Sequence, residues 1–365
     1  MVIRVFMVIR DDISRGFILP VTLWVIAAVS LAVASMSEWV ASSLVTAIFV
    51  KNRMEADIEL ANIENELVFA FAKHPYTYRG LQVGTRQDTD TSDTNYDTML
   101  RSNFVSDKMI FLDSRQYKIG KDKNYIIKIQ DGRGLINLNT INEKFLGRLF
   151  NQLEVPNNLH SLLADTLLDY RDTDNLKRLS GAEKKDYARL KKHPPTNNPL
   201  LSPWEAQRII GWNNLPPLWK TQYSQPLITT CRTSGFNPNT APKEVLAIFM
   251  NKVTIEQTSN IINFREKIPI KNIADLNSAS GTLQEGDPFF FNFVPGRCFI
   301  IELINPDKQQ QIRFSLTLLP RNESQPWQID YAIRIPKQYQ NQAYREEQAV
   351  PFPSPEEIDG WSTAN

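Results

Sequence analysis

The chain has 365 residues, enough for two or three domains, and 42% of them are hydrophobic, which is ample for packed cores. The formal net charge is +1, so the sequence as a whole carries no electrostatic attraction to nucleic acid or acidic lipid. Its two cysteines, Cys231 and Cys298, exclude an all-cysteine zinc site. They suit an oxidising compartment and are candidates for one disulfide, although two unbonded thiols fit the sequence equally well.

The most hydrophobic segment lies near the N-terminus. Residues 17–37 carry no charge, and a helix of this length spans roughly 30 Å, the thickness of a bilayer's hydrocarbon core. Hydrophobic residues continue at helical spacing to about residue 72, with acidic residues between them. We therefore predict one helical region over residues 17–75, which spans a membrane in its first half and is amphipathic in its second.

A short leader, residues 1–16, precedes this helix and carries three arginines. The leader ends in Ser14-Arg15-Gly16, and this junction resembles that of type IV pilins and pseudopilins. The resemblance implies that prepilin peptidase cleaves between Gly16 and Phe17 and that the new amino group of Phe17 is methylated. The arginines favour a cytoplasmic N-terminus, so residues after about 40 should lie outside, in the periplasm. A plain signal anchor is the alternative.

The fifth residue after the predicted cleavage distinguishes this chain from most pilins. Pilins carry a glutamate there, whose carboxylate can pair with the N-terminal amine of the next subunit. This sequence has Val21 instead. In this respect it resembles the K-type minor pseudopilins, which are thought to have no subunit above them.

The region after the helix predicts the start of a sheet domain. His74-Pro75 predicts the end of the helix, and residues 80–98 have the Thr, Asp, Asn and Gly content of a loop. Residues 109–112 and 125–129 are strand-like and flank a turn. We assign residues 76–131 to the first part of a pilin-like α/β domain.

Residues 132–285 contain an internal repeat. Ile-Asn-Leu-Asn-Thr-Ile at 136–141 recurs as Phe-Asn-Pro-Asn-Thr-Ala at 236–241, and Asn and Thr are expected to cap the helix that follows each copy. A second and a third helix are predicted in both copies, the third beginning at Ser202 in the first copy. That copy also carries an insertion between residues 171 and 201. We predict an inserted all-α domain of two helix-hairpin-helix-like, or SAM-like, repeats.

Asn-x-Asn-Thr followed by paired helices resembles two families. One is the helix-hairpin-helix module of membrane-anchored, competence-type DNA receptors, and the other is the α-domain of K-type minor pseudopilins. The second resemblance has further motifs in the family's order: Leu-Asp-Tyr-Arg-Asp-Thr-Asp at 168–174, Gly-Ala-Glu at 181–183 and Asn-Pro-Leu-Leu-Ser at 198–202. With the leader and Val21, it extends over residues 14 to about 340.

The DNA alternative requires a Gly-hydrophobic-Gly turn whose N–H groups bind phosphate. The corresponding turns, residues 152–156 and 251–254, contain no glycine, Pro156 has no N–H, and Glu154 would repel phosphate. The densest basic run, residues 184–192, lies in the insertion, where a solvated helix face explains it. No nucleic-acid partner is expected.

The K-type resemblance implies calcium sites in the α-domain. Asp172 and Asp174 have the spacing of calcium ligands in a loop, Asp169 lies one helical turn earlier, and Glu183 follows a polar loop. The structural alternative is that residues 180–183 form a capping box and that Asp169 and Asp172 end a helix. No cofactor other than calcium is expected.

Four strand-like runs, at residues 289–294, 298–304, 312–319 and 327–335, are expected to complete the sheet, so that residues 286–336 form its C-terminal part. Residues 337–365 are polar and proline-rich and predict a tail without regular structure. No catalytic motif occurs, and an enzyme is not expected.

The predicted fold class is α+β, with one transmembrane helix in the inner membrane and a periplasmic domain. The resemblance implies a minor pseudopilin at the tip of the type II secretion pseudopilus, which initiates or caps filament assembly for protein export across the outer membrane. It implies as partners the I- and J-type minor pseudopilins, other pseudopilins, the inner-membrane assembly platform, prepilin peptidase and membrane lipid.

Overall fold

A computed structural model describes residues 18–74, 76–83, 109–119, 125–284, 290–306, 310–322, 325–339 and 349–353. The chain divides into two compact units, residues 1–65 and residues 66–365. The predicted cleavage junction between Gly16 and Phe17 lies outside the described residues, as does most of the loop predicted after residue 80.

Helix α1, Ile18–Lys73, is continuous, as the sequence predicts. Its segment Leu19–Glu55 is long and hydrophobic enough to cross a membrane, judged by length and composition. The large hydrophobic side chains of this segment are exposed, including Trp24 at 78% and Leu31 at 74%. Such a surface is suited to lipid rather than to water. Val21 lies near the start of the helix and is 47% exposed.

The last turns of α1 belong to the second unit and pack into its core. Leu67, Val68 and Phe71 are buried, and the rings of Phe71 and Phe299 stack with their centroids 4.5 Å apart. The end of the amphipathic half of the helix therefore has its hydrophobic side against the sheet.

The second unit is built on a six-stranded sheet of order β10-β9-β8-β5-β4-β11. Its strands are β4 Asp113–Ile119, β5 Tyr125–Asp131, β8 Cys298–Asn305, β9 Gln310–Leu318, β10 Trp327–Arg334 and β11 Val350–Pro351. Neighbouring strands are antiparallel except for β11, which runs parallel to β4. A smaller sheet contains β1 Tyr76–Thr77, β2 Gly80–Gln82 and β3 Met109–Phe111.

The helical part of the second unit lies between β5 and β8, which are neighbours in the sheet. Its helices are α2 Glu143–Gln152, α3 Asn157–Arg171, α4 Lys184–Arg189, α5 Pro216–Ser224, α6 Lys243–Phe249, α7 Thr258–Lys267 and α8 Ile273–Ser280. Strands β6 Ile136–Asn137 and β7 Ile228–Thr229 form a short parallel pair among them. The chain thus leaves the sheet and returns to it at adjacent strands.

Two predicted elements differ in the helical part. The third helix of the first copy is a short 3-10 helix, Pro203–Arg208. The capping box predicted at its start is not formed, and the Glu205 carboxylate accepts hydrogen bonds from Leu201 N and Tyr170 Oη instead. The strand predicted over 289–294 is not formed in its described part, where residues 290–293 make one isolated bridge. The phenylalanines of this segment pack against the helical core instead.

Two segments predicted as irregular contain strands. Gly80 begins β2, and a Cβ atom there would lie 2.2 Å from the Ile110 carbonyl oxygen. This glycine therefore permits close strand pairing, whereas its presence in the sequence suggested a loop. In the predicted tail, Lys337–Tyr339 is a 3-10 helix and Val350–Pro351 forms β11.

Candidate functional site

The first Asn-x-Asn motif forms a hydrogen-bonded bracket. Asn137 Oδ1 accepts from Asn139 N at 2.9 Å, which fixes the turn. The Asn139 side chain then joins two distant segments, accepting from Leu200 N at 2.8 Å and donating to Leu200 O at 3.0 Å and Thr230 O at 3.2 Å. Arg171, at the end of α3, donates to the carbonyl groups of the same turn. The bracket thereby closes the base of the insertion.

The second motif repeats this bracket with the equivalent residues. Asn237 Oδ1 accepts from Asn239 N at 3.0 Å, and the Asn239 side chain accepts from Ile270 N at 2.9 Å and donates to Ile270 O at 2.7 Å and Phe293 O at 3.0 Å. Arg265, at the end of α7, donates to Pro238 O at 2.8 Å and Ala241 O at 2.7 Å. The sequence repeat is therefore a repeated hydrogen-bond framework.

The expected capping role of these motifs is wrong. Asn142 caps α2, accepting from Phe145 N at 3.1 Å, and α6 begins after Pro242 without a side-chain cap. The motif residues instead bind the turn, the returning chain and an arginine. The two arginines were missed in the sequence, although the same aromatic-Arg pair occurs in both copies, as Tyr170-Arg171 and Phe264-Arg265.

Asp131 joins the second bracket to the sheet. It ends β5 and is fully buried, and its carboxylate accepts from Asn237 Nδ2 and Thr240 Oγ1, both at 3.0 Å, and from Gly296 N at 2.9 Å. Burial raises the pKa of this carboxyl, although the hydrogen bonds act in the opposite direction. Its partners are neutral donors, so the group is held by hydrogen bonds rather than by a counter-ion.

The Cys231–Cys298 disulfide lies at the same junction. The structure joins the two sulfurs at 2.00 Å, with the Cα atoms 5.9 Å apart and a sequence separation of 67. The chain beside the bond is tightly packed, since a Cβ on Gly132 would lie 2.5 Å from Cys231 Sγ. Asn137 Nδ2 donates to Cys231 O at 2.6 Å, so the first bracket is tied to this bond.

The predicted calcium ligands lie around Arg178. Asp169 is buried, and its Oδ1 atom lies 2.8 Å from Arg178 Nη1, which also lies 2.7 Å from Asp172 Oδ2. The hydrogen bonds that Arg178 donates to these two carboxylates raise its pKa. Asp174 is exposed and accepts from Leu176 N at 2.7 Å within its own loop. The structure therefore brings Asp169 and Asp172 together around Arg178, whereas Asp174 binds its own loop and acts on Glu183 only through its charge.

Glu183 is buried beside this group, at the start of α4. Neither of its carboxylate oxygens makes a hydrogen bond of good geometry, and Asp172 Oδ1 is also buried without a partner. Burial raises the pKa of Glu183, and the negative charges of Asp169 and Asp172 raise it further. The capping box predicted at residues 180–183 is displaced, since Ser180 N donates to Asp165 and Asp186 accepts from Glu183 N.

The donor types at this cluster fit calcium, which prefers carboxylate oxygens, and buried oxygens without partners are available for a cation. In this conformation, however, Arg178 stands between Asp169 and Asp172. Within the part of the chain that the structure describes, no three His, Cys, Asp or Glu side chains converge closely enough to hold a metal ion. Calcium binding remains a prediction.

Comparison with known proteins bears directly on this region. Residues 128–215 match the family model described as type II secretion system (T2SS), protein K. Over this segment, the predicted resemblance to protein K of the type II secretion system is confirmed. The matched segment contains Asp131, the first bracket and the acidic cluster, and the second bracket lies beyond it.

A solved structure, the GspK-GspI-GspJ complex from enterotoxigenic Escherichia coli Type 2 Secretion System, is also similar to this chain. It matches with 14% sequence identity and a TM-score of 0.41, covering 60% of this chain and 82% of that chain. No curated protein matches the sequence significantly.

Proposed function

We propose that this protein is a minor pseudopilin at the tip of the type II secretion pseudopilus, where it initiates or caps the filament. The observation that carries this proposal is the protein K match over residues 128–215. The N-terminal helix supports it, because its segment Leu19–Glu55 can cross the inner membrane once and leave the folded unit in the periplasm.

Val21 supports a place at the tip. Its side chain has neither a negative charge nor a hydrogen-bond acceptor, so it cannot pair with the N-terminal amine of a subunit added above it. The same helix can still pack laterally against neighbouring hydrophobic helices. The helical region between β5 and β8 adds bulk to the folded unit, and that bulk would oppose further addition.

The N-terminus of the mature protein tests the pilin-like assignment. Mass spectrometry of the protein from a host with active prepilin peptidase is expected to show a chain that starts at methylated Phe17. A Gly16→Ala variant of the last leader residue serves as the matched control and should retain Met1. An intact leader on the unaltered chain in that host would contradict the proposal.

We also propose the I- and J-type minor pseudopilins as direct partners. Co-expression in one membrane followed by purification through a tag on this chain should recover both subunits. An unrelated single-pass membrane protein expressed at the same level is the control for non-specific helix association. Failure to recover either minor subunit, with all three present in the membrane, would contradict the partner assignment.

The DNA-receptor alternative is disfavoured by the hairpin turns. Glu154 and Lys252 take positive φ angles of 56° and 53° at equivalent places in the two turns. Several turn N–H groups are already used: Val155 N donates to Phe150 O, and Thr254 N donates to the Gln257 side chain. A mobility-shift assay with duplex DNA at physiological salt is expected to show no specific binding.

The two brackets support a finer proposal about the fold, namely that the inserted region consists of two copies of one helix-hairpin-helix-like unit. In each copy an asparagine pair fixes the turn before the first helix, and an arginine from the second helix binds that turn. An isolated copy would lack half of the shared core, so the two units stabilise each other.

We propose further that the acidic cluster binds calcium once Arg178 turns away from it. The support is the carboxylate of Glu183, which is buried beside Asp169 and Asp172 and whose oxygens make no hydrogen bond of good geometry. Calorimetric titration of the full chain in detergent with calcium alone should show binding. Glu183→Gln should weaken it at least tenfold, and Arg178→Gln should strengthen it, because the competing cation is removed. No heat with either the unaltered chain or the Arg178→Gln variant would contradict the proposal.

A further inference from the structure

Three leucines of the insertion have their side chains in solvent. The exposed fraction is 100% for Leu179, 77% for Leu176 and 50% for Leu190. Single exposed hydrophobic residues are normal on a protein surface, but hydrophobic side chains that are grouped together and bordered by charges mark contact surfaces. We call the exposed residues of the segment 176–192 the basic leucine face.

Leu179 is held by a fixed backbone. The residue before it, Arg178, donates its N–H to Asp169 Oδ2 at 3.2 Å, and the residue after it, Ser180, donates its N–H to Asp165 Oδ2 at 2.9 Å. Both carboxylates belong to α3. The fold therefore presents a fully exposed hydrophobic side chain on an ordered turn, so little backbone entropy would be lost when a partner covers it.

The other leucines lie close to the same side of α4. Leu190 follows Asp186 by four residues, and its N–H donates to Asp186 O at 3.2 Å, so both side chains lie on one side of the helix. Lys177 Nζ lies 3.0 Å from Asp186 Oδ2. This ion pair brings the loop that carries the first two leucines to that side.

The charges of the face come from lysines. Four of them are exposed and form no ion pair with any other residue that the structure describes: Lys184, Lys185, Lys191 and Lys192. Two lie at the start of α4 and two shortly after its end, and a helix of six residues is about 9 Å long. Among residues 172–192, all of which the structure describes, Asp174 is the one exposed acid. The face is thus strongly basic, in a chain whose formal net charge is only +1.

The composition of the face favours a protein partner over a lipid bilayer or a nucleic acid. Segments that bind a bilayer surface form longer amphipathic helices and carry exposed aromatic residues, whereas α4 has six residues and Tyr187, the aromatic residue of this segment, is buried. Nucleic acid offers phosphates to the lysines but little hydrophobic surface to cover the leucines. An acidic protein segment offers both carboxylates and hydrophobic side chains.

We propose that the basic leucine face binds an acidic segment of another protein, one that carries hydrophobic side chains between its carboxylates. Leu179 provides the main hydrophobic contact, and Leu176 and Leu190 extend it. The four lysines attract the acidic segment and fix its direction, an effect that salt screens. A solvated helix face explained the basic run in the sequence, and the structure adds the exposed leucines beside it.

A synthetic peptide that repeats Glu-Glu-Leu tests this surface. The full chain is placed in nanodiscs of neutral phosphatidylcholine, and binding of the fluorescent peptide is followed by anisotropy, with empty nanodiscs as the blank. The same peptide with serine at every leucine position should bind about tenfold more weakly. Raising the salt concentration should weaken binding, because the lysines are exposed.

A leucine variant locates the hydrophobic contact. Leu179→Ser should weaken binding of the peptide about tenfold, because the buried contact is lost. The matched control is Leu283→Ser, at a leucine that is 74% exposed elsewhere in the helical region, and it should leave binding unchanged. Near-UV circular dichroism checks that each variant remains folded.

A lysine variant locates the charges. Lys184→Gln with Lys185→Gln should weaken binding about fivefold at low salt and less at high salt. Lys220→Gln with Lys252→Gln, at two exposed lysines outside the face, is the matched control and should leave binding unchanged.

The proposal is overturned if the peptide does not bind the unaltered chain, if the serine peptide binds equally well, or if Leu179→Ser behaves like Leu283→Ser. Vesicles that contain phosphatidylglycerol test the lipid alternative. Binding of these vesicles that competes with the peptide and is lost in the leucine and lysine variants would make a lipid surface the occupant, and would overturn the proposal as well.

Discussion

The two brackets of the helical region have the same internal hydrogen bonds but are fastened to the sheet by different means. The first is tied to the disulfide, since Asn137 Nδ2 donates to the carbonyl group of Cys231, which is bonded to Cys298 at the start of β8. The second is tied to Asp131 at the end of β5, which accepts from Asn237 and Thr240. One repeated motif is thus held by a covalent bond in one copy and by buried hydrogen bonds in the other.

This difference follows from where each copy meets the sheet. Strands β5 and β8 are adjacent, and Asp131 pairs with Phe299, next to Cys298. The two fastenings therefore occupy one small junction, and each holds a different copy. The comparison indicates that the orientation of the helical region is set at this junction. The insertion of the first copy, which carries the acidic cluster, takes no part in the two fastenings.

The largest effect is expected from removing the covalent fastening. A disulfide that closes a loop of 67 residues stabilises a protein by about 4 kcal/mol on the chain-entropy account. The Cys231→Ala, Cys298→Ala double variant should lose that amount in urea unfolding of the full chain in detergent, followed by near-UV circular dichroism. Reductant should destabilise the unaltered chain equally and leave the double variant unchanged. Insensitivity of the unaltered chain to reductant would show that the first copy is not held this way.

The next effect tests the second fastening. Asp131→Ala leaves the side chains of Asn237 and Thr240 and the N–H of Gly296 without their acceptor in a buried place, which should cost about 3 kcal/mol. The control is Asp275→Ala, which removes an acceptor for Lys271 N at the surface of the second copy and should cost well under half as much. If both variants lost the same free energy of unfolding, Asp131 would not hold the second bracket to the sheet more strongly than an ordinary surface hydrogen bond does.

Part of this arrangement could be predicted from the sequence. Helix α1 and strands β5, β8, β9 and β10 follow from hydrophobic patterns that are local, and the repeat is visible as Asn-x-Asn-Thr. The role of its asparagines could not be predicted, because their partners Leu200 and Ile270 are fixed by tertiary contacts. Asp131 was missed for the same reason: it is a single acid at a strand end, and the side chains that donate to it, those of Asn237 and Thr240, lie more than 100 residues away in sequence.

The contacts within the acidic cluster also could not be predicted from the spacing of its residues in the sequence. The spacing of Asp172 and Asp174 suggested that both bind one ion, but Asp174 faces its own loop, and Arg178 pairs with Asp169 and Asp172. Arg178 could be seen in the sequence, but the rotamer that brings its guanidinium group to Asp169 and Asp172 could not be predicted. Strand β11 was missed because two residues paired to a distant strand leave no periodic signal.

The two bracket arginines sharpen the comparison between the copies. Burial lowers the pKa of both, to about 10 for Arg171, where the nearby charge of Arg178 contributes as well. Each arginine donates two charge-assisted hydrogen bonds to carbonyl groups of its bracket, and its replacement by alanine removes both. We expect the free energy of unfolding to fall by about 3 kcal/mol for Arg265→Ala and by about 2 kcal/mol for Arg171→Ala. Urea unfolding of both variants under the same conditions provides the measurement. A larger loss for Arg171 would reverse the ranking of the two brackets.

The smallest effect concerns the insertion. A Cβ on Gly181 would lie 1.9 Å from Asp169 Oδ2, whereas nothing lies within 4 Å of a Cβ on Gly147 in α2. Gly181→Ala should therefore displace the Asp169 carboxylate from Arg178 and destabilise the protein by about 2 kcal/mol. Gly147→Ala should stabilise it by up to about 1 kcal/mol, because alanine is the better helix former. Opposite signs in urea unfolding are expected. If both variants changed the free energy of unfolding in the same direction, the backbone of the insertion would be able to move away from Asp169. The acidic cluster would then be adaptable rather than fixed by the fold.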